Sequence, residues 1–180
     1  FYTAQAQSIG KLLLTARRLC EAGCGFVTIH AGYAGVWDMH ADGNNLSMQD
    51  GMEAVGRSFD HAVAAFIEDC EASGLSEKIL LVCTGEMGRT PKLNKRGGRD
   101  HWSRLAPLML YGGGMEGGQV IGQSTRDGGE PNGTAQGPEN LVSTILHTML
   151  DIGQLRLAPE APKEVLELAS VPTIPGTVKG

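Results

Sequence analysis

The stretch KILLVCTGEMGRTPKLNKRGGRDHW, residues 78–102, joins an apolar run to a loop that is rich in polar and charged side chains. Residues 78–84 are almost continuously apolar, as is typical of a parallel strand that is buried on both faces. The following loop places five basic residues between Glu86 and the triplet Asp100-His101-Trp102. The stretch therefore predicts a buried strand that leads into a positively charged loop flanked by carboxylates and a histidine.

The rest of the chain alternates helix-like and strand-like segments around this strand. Apolar residues recur at helical spacing in the predicted helices, and Gly23 and Gly74 are natural helix stops. Strands that alternate with long helices predict an α/β fold, with a mostly parallel sheet covered by helices on both faces. We predict strands at 25–30, 78–84, 106–112 and 119–122, and helices at 2–22, 47–73, 138–150 and 163–169.

Length and charge narrow the possible classes of protein. The 180 residues fit one α/β domain, which we place at 1–155, followed by a proline-containing tail at 156–180. The net charge of −5 argues against a general nucleic-acid binder. No apolar run approaches the roughly 20 residues of a membrane span. Because the sequence has neither an initiator Met nor a signal peptide, we expect a fragment or a processed product.

Three groups of polar side chains adjoin the ends of the predicted strands. In parallel sheets, ligands bind beyond the carboxyl ends of the strands, so we expect these groups to converge at one edge. Asp38 and His40 follow the first strand, Glu86 and Arg89 follow the second, and Asp100 and His101 precede the third.

The chemistry of these side chains predicts a site for one or two metal ions. Asp, Glu and His are ligands for Zn²⁺, Mn²⁺, Mg²⁺ and Ca²⁺, and such sites activate water and clamp the oxygens of a transferring group. Arg89 and Arg99 are candidates for holding an anionic substrate. Each motif alone has an ordinary alternative, since a D-x-H pair occurs without metal and a basic loop is often only solvated. The predicted ligands are Asp38, His40, Glu86, Asp100 and His101.

Four stretches resemble a known family. GEMGRTPKLNKRGGRDHW, residues 85–102, resembles the signature of a bacterial, usually exported, sulfatase-like family of unknown function in the alkaline phosphatase superfamily. The resemblance covers roughly residues 8–155. The other stretches are ARRLCEAGCGFVTIHAGYAGVWDMHADGNN at 16–45, APLMLYGGGMEGGQVIG at 106–122 and PENLVSTILHTMLDIG at 138–153.

This resemblance implies a fold, a chemistry and a location. The fold would be part of a doubly wound, alkaline-phosphatase-like α/β domain with a metal at the strand ends. The activity would be hydrolysis of phosphate or sulfate esters, with zinc or manganese favoured over magnesium or calcium. The partner would be a small anionic substrate or a sulfated or phosphorylated glycan, and the location periplasmic or secreted.

The family alignment leaves two questions open. Asp38 and His40 match the family's D-x-H. In one alignment Glu86 takes the position of a metal-binding Asp, with Met87 in the position of its partner His; in the other, Asp100-His101 is itself that pair. The superfamily keeps its nucleophile in an amino-terminal part that this sequence does not contain. We therefore expect part of a hydrolase, inactive alone, with a non-catalytic module that binds metal or an anionic glycan as the alternative.

Overall fold

The structure is a computed structural model that describes residues 9–32 and 36–178. The described chain forms two compact units. The amino-terminal unit contains the described residues up to Leu75 together with Thr84–Pro107. The carboxy-terminal unit contains Ser76–Cys83 together with the described residues from Leu108 onward. All the predicted ligands belong to the amino-terminal unit.

Helices in the amino-terminal unit follow the predicted apolar spacing. They are α1 (Ile9–Glu21), α2 (Met48–Gly51) and α3 (Arg57–Ala72), and a π-helical turn at Met52–Gly56 joins α2 to α3. Ser47 caps α2, because its Oγ accepts a hydrogen bond from the Asp50 amide at 3.1 Å. The predicted helix at 47–73 is confirmed, and the one at 2–22 is confirmed from Ile9 onward; residues 2–8 lie outside the described residues.

Packing of α1 against α3 builds the core of this unit. Leu13 on α1 and Phe66 and Cys70 on α3 are buried, as helical spacing requires of one face of each helix. The edge of this contact carries an ion pair, in which the Arg17 guanidinium lies 2.7 Å from the Asp69 carboxylate. On α3, Phe59 also packs edge-on against Trp37, which lies next to the predicted ligand Asp38.

Two predicted strands are wrong. Residues 25–30 and 119–122 form no ladder with any described residue. Phe26 is 67% exposed and Val120 is 97% exposed, so neither run is buried as a core strand would be. β-branched apolar residues favour a strand only where a neighbouring strand offers hydrogen bonds and a packing surface. Next to the second run, an isolated bridge pairs Ser124 with Pro131.

Four short strands are present in the described residues. β1 (Leu80–Thr84) pairs with β4 (Leu108–Gly112), which confirms the predicted strands at 78–84 and 106–112. β2 (Gly88–Arg89) pairs antiparallel with β3 (His101–Trp102), and the sequence pattern did not predict this pair. The doubly wound parallel sheet stays a prediction.

The carboxy-terminal unit contains three helices: α4 (Pro138–Met149), α5 (Ile152–Leu157) and α6 (Lys163–Ala169). The predicted helices at 138–150 and 163–169 are thereby confirmed. Two fully buried hydroxyls tie α4 to the tail: Ser143 donates to the Val171 carbonyl at 2.6 Å, and Thr144 accepts from the Ile174 amide at 2.9 Å. The boundary proposed at residue 155 stays a prediction. None of the described helices is both long and apolar enough to cross a membrane.

Candidate metal site

Three of the five predicted ligands converge in the amino-terminal unit. The Nε2 atoms of His40 and His101 are 3.1 Å apart. Asp38 Oδ1 lies 3.1 Å from His101 Nε2 and 3.9 Å from His40 Nε2. His40 and Asp38 precede His101 by 61 and 63 positions in the sequence, and yet the ligand atoms of the three residues converge on one point. We call Asp38, His40 and His101 the ligand triad.

The spacing of these atoms fits a small divalent cation. Tetrahedral zinc with ligand bonds of about 2.0–2.1 Å has ligand atoms roughly 3.3 Å apart. The three separations of 3.1, 3.1 and 3.9 Å bracket that value. Two imidazoles and one carboxylate also match the ligand types of zinc sites that keep a fourth position open. The triad therefore fits zinc, and its mixture of nitrogen and oxygen also suits manganese.

The imidazole of His40 is oriented by the backbone of the basic loop. Its Nδ1 lies 2.8 Å from the Arg99 carbonyl oxygen. A carbonyl can only accept, so Nδ1 is the donor; in the neutral imidazole, Nε2 then keeps its lone pair facing the other two ligand atoms. This is the arrangement in which an outer partner fixes the tautomer of a metal-binding histidine.

The short ladder between β2 and β3 places His101. It pairs Gly88 with Trp102 and Arg89 with His101. A Cβ at Gly88 would overlap the Leu105 carbonyl, so only glycine allows this close approach. The ladder therefore brings the Arg89 side chain and the His101 imidazole to the same place, where both reach Asp38.

Backbone strain is concentrated around His40. Met39 and Ala41, the residues on either side, have φ values of +47° and +55°. L-residues with a Cβ rarely adopt this left-handed conformation, which costs roughly 1–2 kcal/mol per residue. Such strain persists where the surrounding structure enforces it, and it is typical of functional sites. The loop thus holds His40 in a conformation that local preference alone would not select.

Replacing Ala41 with glycine tests this strain. A glycine at this position would adopt the positive φ without strain. We expect the free energy gained by removing this strain to exceed the cost of the extra conformational entropy that glycine gives the unfolded chain. We expect Ala41→Gly to raise the free energy of unfolding by about 0.5–1 kcal/mol. Urea denaturation measures this, with Ala31→Gly in the same loop as the control, since Ala31 has no positive φ. Equal losses of stability in both variants would show that Ala41 is not strained.

Asp38 is kept ionised by its neighbours. The hydrogen bond from His101 is the main cause of a lowered pKa for this carboxyl, and the Arg89 charge adds to it, although partial burial opposes both. Because this pKa is lower in the folded than in the unfolded protein, the Asp38 carboxylate stabilises the fold at pH values above its unfolded pKa of about 3.9. This stabilisation is lost as the pH falls through the lower pKa of the folded state. At neutral pH, Asp38 is therefore anionic, as a carboxylate metal ligand has to be.

The other two predicted ligands lie outside the triad. The Glu86 side chain is 68% exposed, and its carboxylate is 4.0 Å from the Arg89 guanidinium. The Asp100 carboxylate lies 3.6 Å from His40 Nδ1, on the side of the ring that faces away from the triad. Asp100 also accepts a hydrogen bond from Asn94 at 3.2 Å. In this geometry Asp100 supports His40 from outside the triad.

The two predicted anion-binding arginines are placed differently. Arg89 donates to Asp38 at 2.9 Å and to the Gly88 carbonyl at 3.0 Å, so its guanidinium borders the triad. Arg99 directs one nitrogen at the carbonyls of Thr90 and Pro91, at 2.5 and 2.6 Å. Arg89 therefore remains a candidate for binding an anion, whereas the contacts of Arg99 favour a role in holding the loop.

A stability measurement distinguishes these roles for Arg99. Arg99→Gln leaves two part-buried carbonyls without their charged donor, and we expect the free energy of unfolding to fall by about 1–3 kcal/mol. Arg96→Gln is the control, because Arg96 is an exposed cation of the same loop and surface changes usually stay within about 0.5 kcal/mol. Thermal unfolding that is unchanged in Arg99→Gln would contradict the structural role.

Sequence reasoning missed Asn94. Its side-chain amide donates to the His40 carbonyl at 3.0 Å, and its Oδ1 accepts from the amides of Arg96 and Gly98, both at 3.0 Å. Asn94 thereby closes the loop on itself and fastens it to the backbone of His40. The available signal was the N-x-x-G-G sequence at 94–98, since Asn side chains commonly stabilise turns in this way.

Comparison with known protein families gives one match. The model of a family described as "Protein of unknown function (DUF1501)" matches residues 2–160, which is most of the chain and includes the whole ligand triad. No curated protein and no solved structure matches the chain. The family's description assigns no activity, so the chemistry of the site has to come from its residues. The chain belongs to the DUF1501 family.

Proposed function

We propose that the chain carries the metal-binding part of a hydrolase of phosphate or sulfate esters. The observation that supports this most is the ligand triad, whose three ligand atoms all lie within 4.8 Å of one another beside the Arg89 guanidinium. A cation site next to an arginine suits an ester that carries negative charge. The proposal includes the doubly wound, alkaline-phosphatase-like fold and a periplasmic or secreted location, both of which rest on the resemblance of the sequence.

Each residue has a defined part in this proposal. Asp38, His40 and His101 hold the divalent cation, zinc or manganese in the first place. The bound cation supplies Lewis acidity and a lowered pKa for bound water. His40 presents its Nε2 lone pair because its Nδ1–H donates to the Arg99 carbonyl. Arg89 offers N–H donors to the oxygens of the ester group.

Binding of a small aryl ester tests the proposal. We expect 4-nitrophenyl phosphate or 4-nitrophenyl sulfate to bind the zinc-loaded chain more tightly than the chelator-treated chain, and His101→Ala to remove the difference. Isothermal titration calorimetry with each ester measures this. Equal affinity with and without zinc would show that the triad is not a substrate site.

Turnover by this chain alone is expected to be negligible. Transfer through a covalent intermediate needs an activated nucleophile, and the 180 residues contain no recognisable nucleophile motif, such as C-x-P-x-R. We expect release of 4-nitrophenol from either ester at the rate of the zinc-only control. Robust release that His101→Ala abolishes would show that the nucleophile lies within this chain.

A second candidate function is a non-catalytic module that binds an anionic glycan. Lys92, Lys95 and Arg96 support it, because all three are exposed cations on the loop beside the triad. Such a module would bind a sulfated polysaccharide through these side chains, and small aryl esters would not compete. Heparin binding that is weakened by Lys95→Gln and unaffected by 4-nitrophenyl sulfate would favour the module over the hydrolase.

A further inference from the structure

We infer that Arg89 couples the binding of metal to the binding of a tetrahedral oxyanion such as sulfate or phosphate. Without metal, Arg89 serves as the counter-ion of Asp38. With metal held by the triad, Arg89 turns part of its hydrogen-bonding capacity to the oxyanion. The inference rests on the proposed metal site and adds cooperativity to it: each ligand strengthens the binding of the other.

One carboxylate oxygen of Asp38 is shared between the Arg89 guanidinium and the position where the triad would hold a metal ion. Asp38 Oδ1 accepts from Arg89 Nη2 at 2.9 Å. The same oxygen is the one that lies 3.1 Å from His101 Nε2 and 3.9 Å from His40 Nε2, so it is the atom that the triad offers to a metal. Two cations on one oxygen repel each other at short range. Metal binding must therefore weaken the pair between Arg89 and Asp38.

Arg89 is only partly held by the protein. Its Nη1 donates to the Gly88 carbonyl at 3.0 Å, and Glu86 comes no closer than 4.0 Å to Nη2. Its Nε is buried and has no hydrogen-bond partner among the described residues. Buried polar groups are almost always paired, so an unpaired one requires an explanation. The Arg89 side chain as a whole is 20% exposed, so the guanidinium can turn its unpaired donor toward a ligand once its pair with Asp38 weakens.

An oxyanion relieves the repulsion between the two cations. Sulfate or phosphate placed between Arg89 and a metal in the triad interacts favourably with both, and guanidinium groups bind such anions through paired N–H donors. The anion thus stabilises the metal-loaded state more than the metal-free state, in which Arg89 is occupied by Asp38. By linkage, the metal must raise the affinity for the anion by the same factor.

Removing the Arg89 charge should have two effects on zinc binding that a merely structural role would not produce. In chloride, Arg89→Gln frees Asp38 Oδ1 from its competitor, so the affinity for zinc should rise. In sulfate, the variant lacks the donor that links the two ligands, so the affinity for zinc should no longer depend on the anion. Arg89→Lys keeps the charge but loses the forked donors, and should show a weaker dependence than the wild type.

The experiment measures the zinc affinity of the full chain against a chromophoric chelator, in chloride and in sulfate at equal ionic strength. We expect sulfate to tighten zinc binding to the wild type by roughly 5- to 150-fold, the usual range of coupling between sites. Arg18→Gln, at an exposed position of α1 in the same unit and outside the basic loop, should keep this effect. Arg89→Gln should lose it while binding zinc more tightly than the wild type in chloride.

The outcomes separate this inference from the proposed function. Failure of the wild type to bind zinc in either salt overturns both. Zinc binding that is equal in chloride and sulfate, or a sulfate effect that survives in Arg89→Gln, overturns the coupling and leaves the metal site standing. If Arg89→Gln shows no cooperative thermal transition, Arg89→Lys decides: a sulfate effect as large as that of the wild type contradicts the role of the forked donors.

Discussion

Replacing His101 with alanine is expected to lower the affinity for zinc by more than about 100-fold. Outer residues that only orient a metal ligand already change metal affinity by about 10- to 100-fold when they are mutated, and a ligand itself should matter more. His101 Nε2 is the central atom of the triad, since it lies 3.1 Å from both His40 Nε2 and Asp38 Oδ1. Its removal leaves two ligand atoms 3.9 Å apart, which is too few for a stable site.

The control for this loss is His30→Ala. His30 is an exposed imidazole in the same unit and is not part of the triad. Competition with a chelator should give the wild-type affinity for zinc in His30→Ala and a strongly reduced affinity in His101→Ala. Wild-type affinity in His101→Ala would mean that the triad is not the metal site.

Much of the local structure was predictable from the sequence, because apolar periodicity is a direct consequence of burial. The helices at 47–73 and 163–169 and the strand at 78–84 are all present. The strands predicted at 25–30 and 119–122 failed for a physical reason: a strand needs a partner, and sequence pattern carries no information about pairing. The same gap explains why the ladder between β2 and β3 was missed.

The sequence predicted which residues form the candidate site better than it predicted how their side chains are arranged. Asp38, His40 and His101 were identified as ligands from residue type and position, and the structure groups them. Asp100 adjoins His101 in the sequence, yet consecutive residues of an extended segment point to opposite sides, and Asp100 faces His40 Nδ1 from outside the triad. The positive φ values of Met39 and Ala41 could not be predicted, because neither residue type favours them.

The contact between the basic loop and His40 yields the second large prediction, which concerns Gly98. This glycine is buried, and a Cβ there would overlap the carbonyl of His40 and lie 2.6 Å from the Met39 oxygen. These obstacles are backbone atoms, so no side chain can turn away to make room. The loop itself must move outward. That movement pulls the Arg99 carbonyl from His40 Nδ1 and the Asn94 amide from the His40 carbonyl.

We therefore expect Gly98→Ala to lower the free energy of unfolding by about 1–3 kcal/mol, the usual cost of overpacking. Zinc affinity should fall by about tenfold or more, because His40 loses the partner that fixes its tautomer. Gly43→Ala is the matched control: Gly43 follows His40 by three residues, has no positive φ, and would place its Cβ in contact with no described atom within 4 Å.

Chemical denaturation and chelator competition on the two variants provide the measurements. Loss of stability with unchanged zinc affinity in Gly98→Ala would show that the loop supports the fold without orienting His40. Loss of both in Gly98→Ala, with neither changed in Gly43→Ala, would show that the basic loop acts on the metal site through its backbone. The carbonyl of Arg99 would then matter more to zinc binding than its guanidinium, which bonds to Thr90 and Pro91.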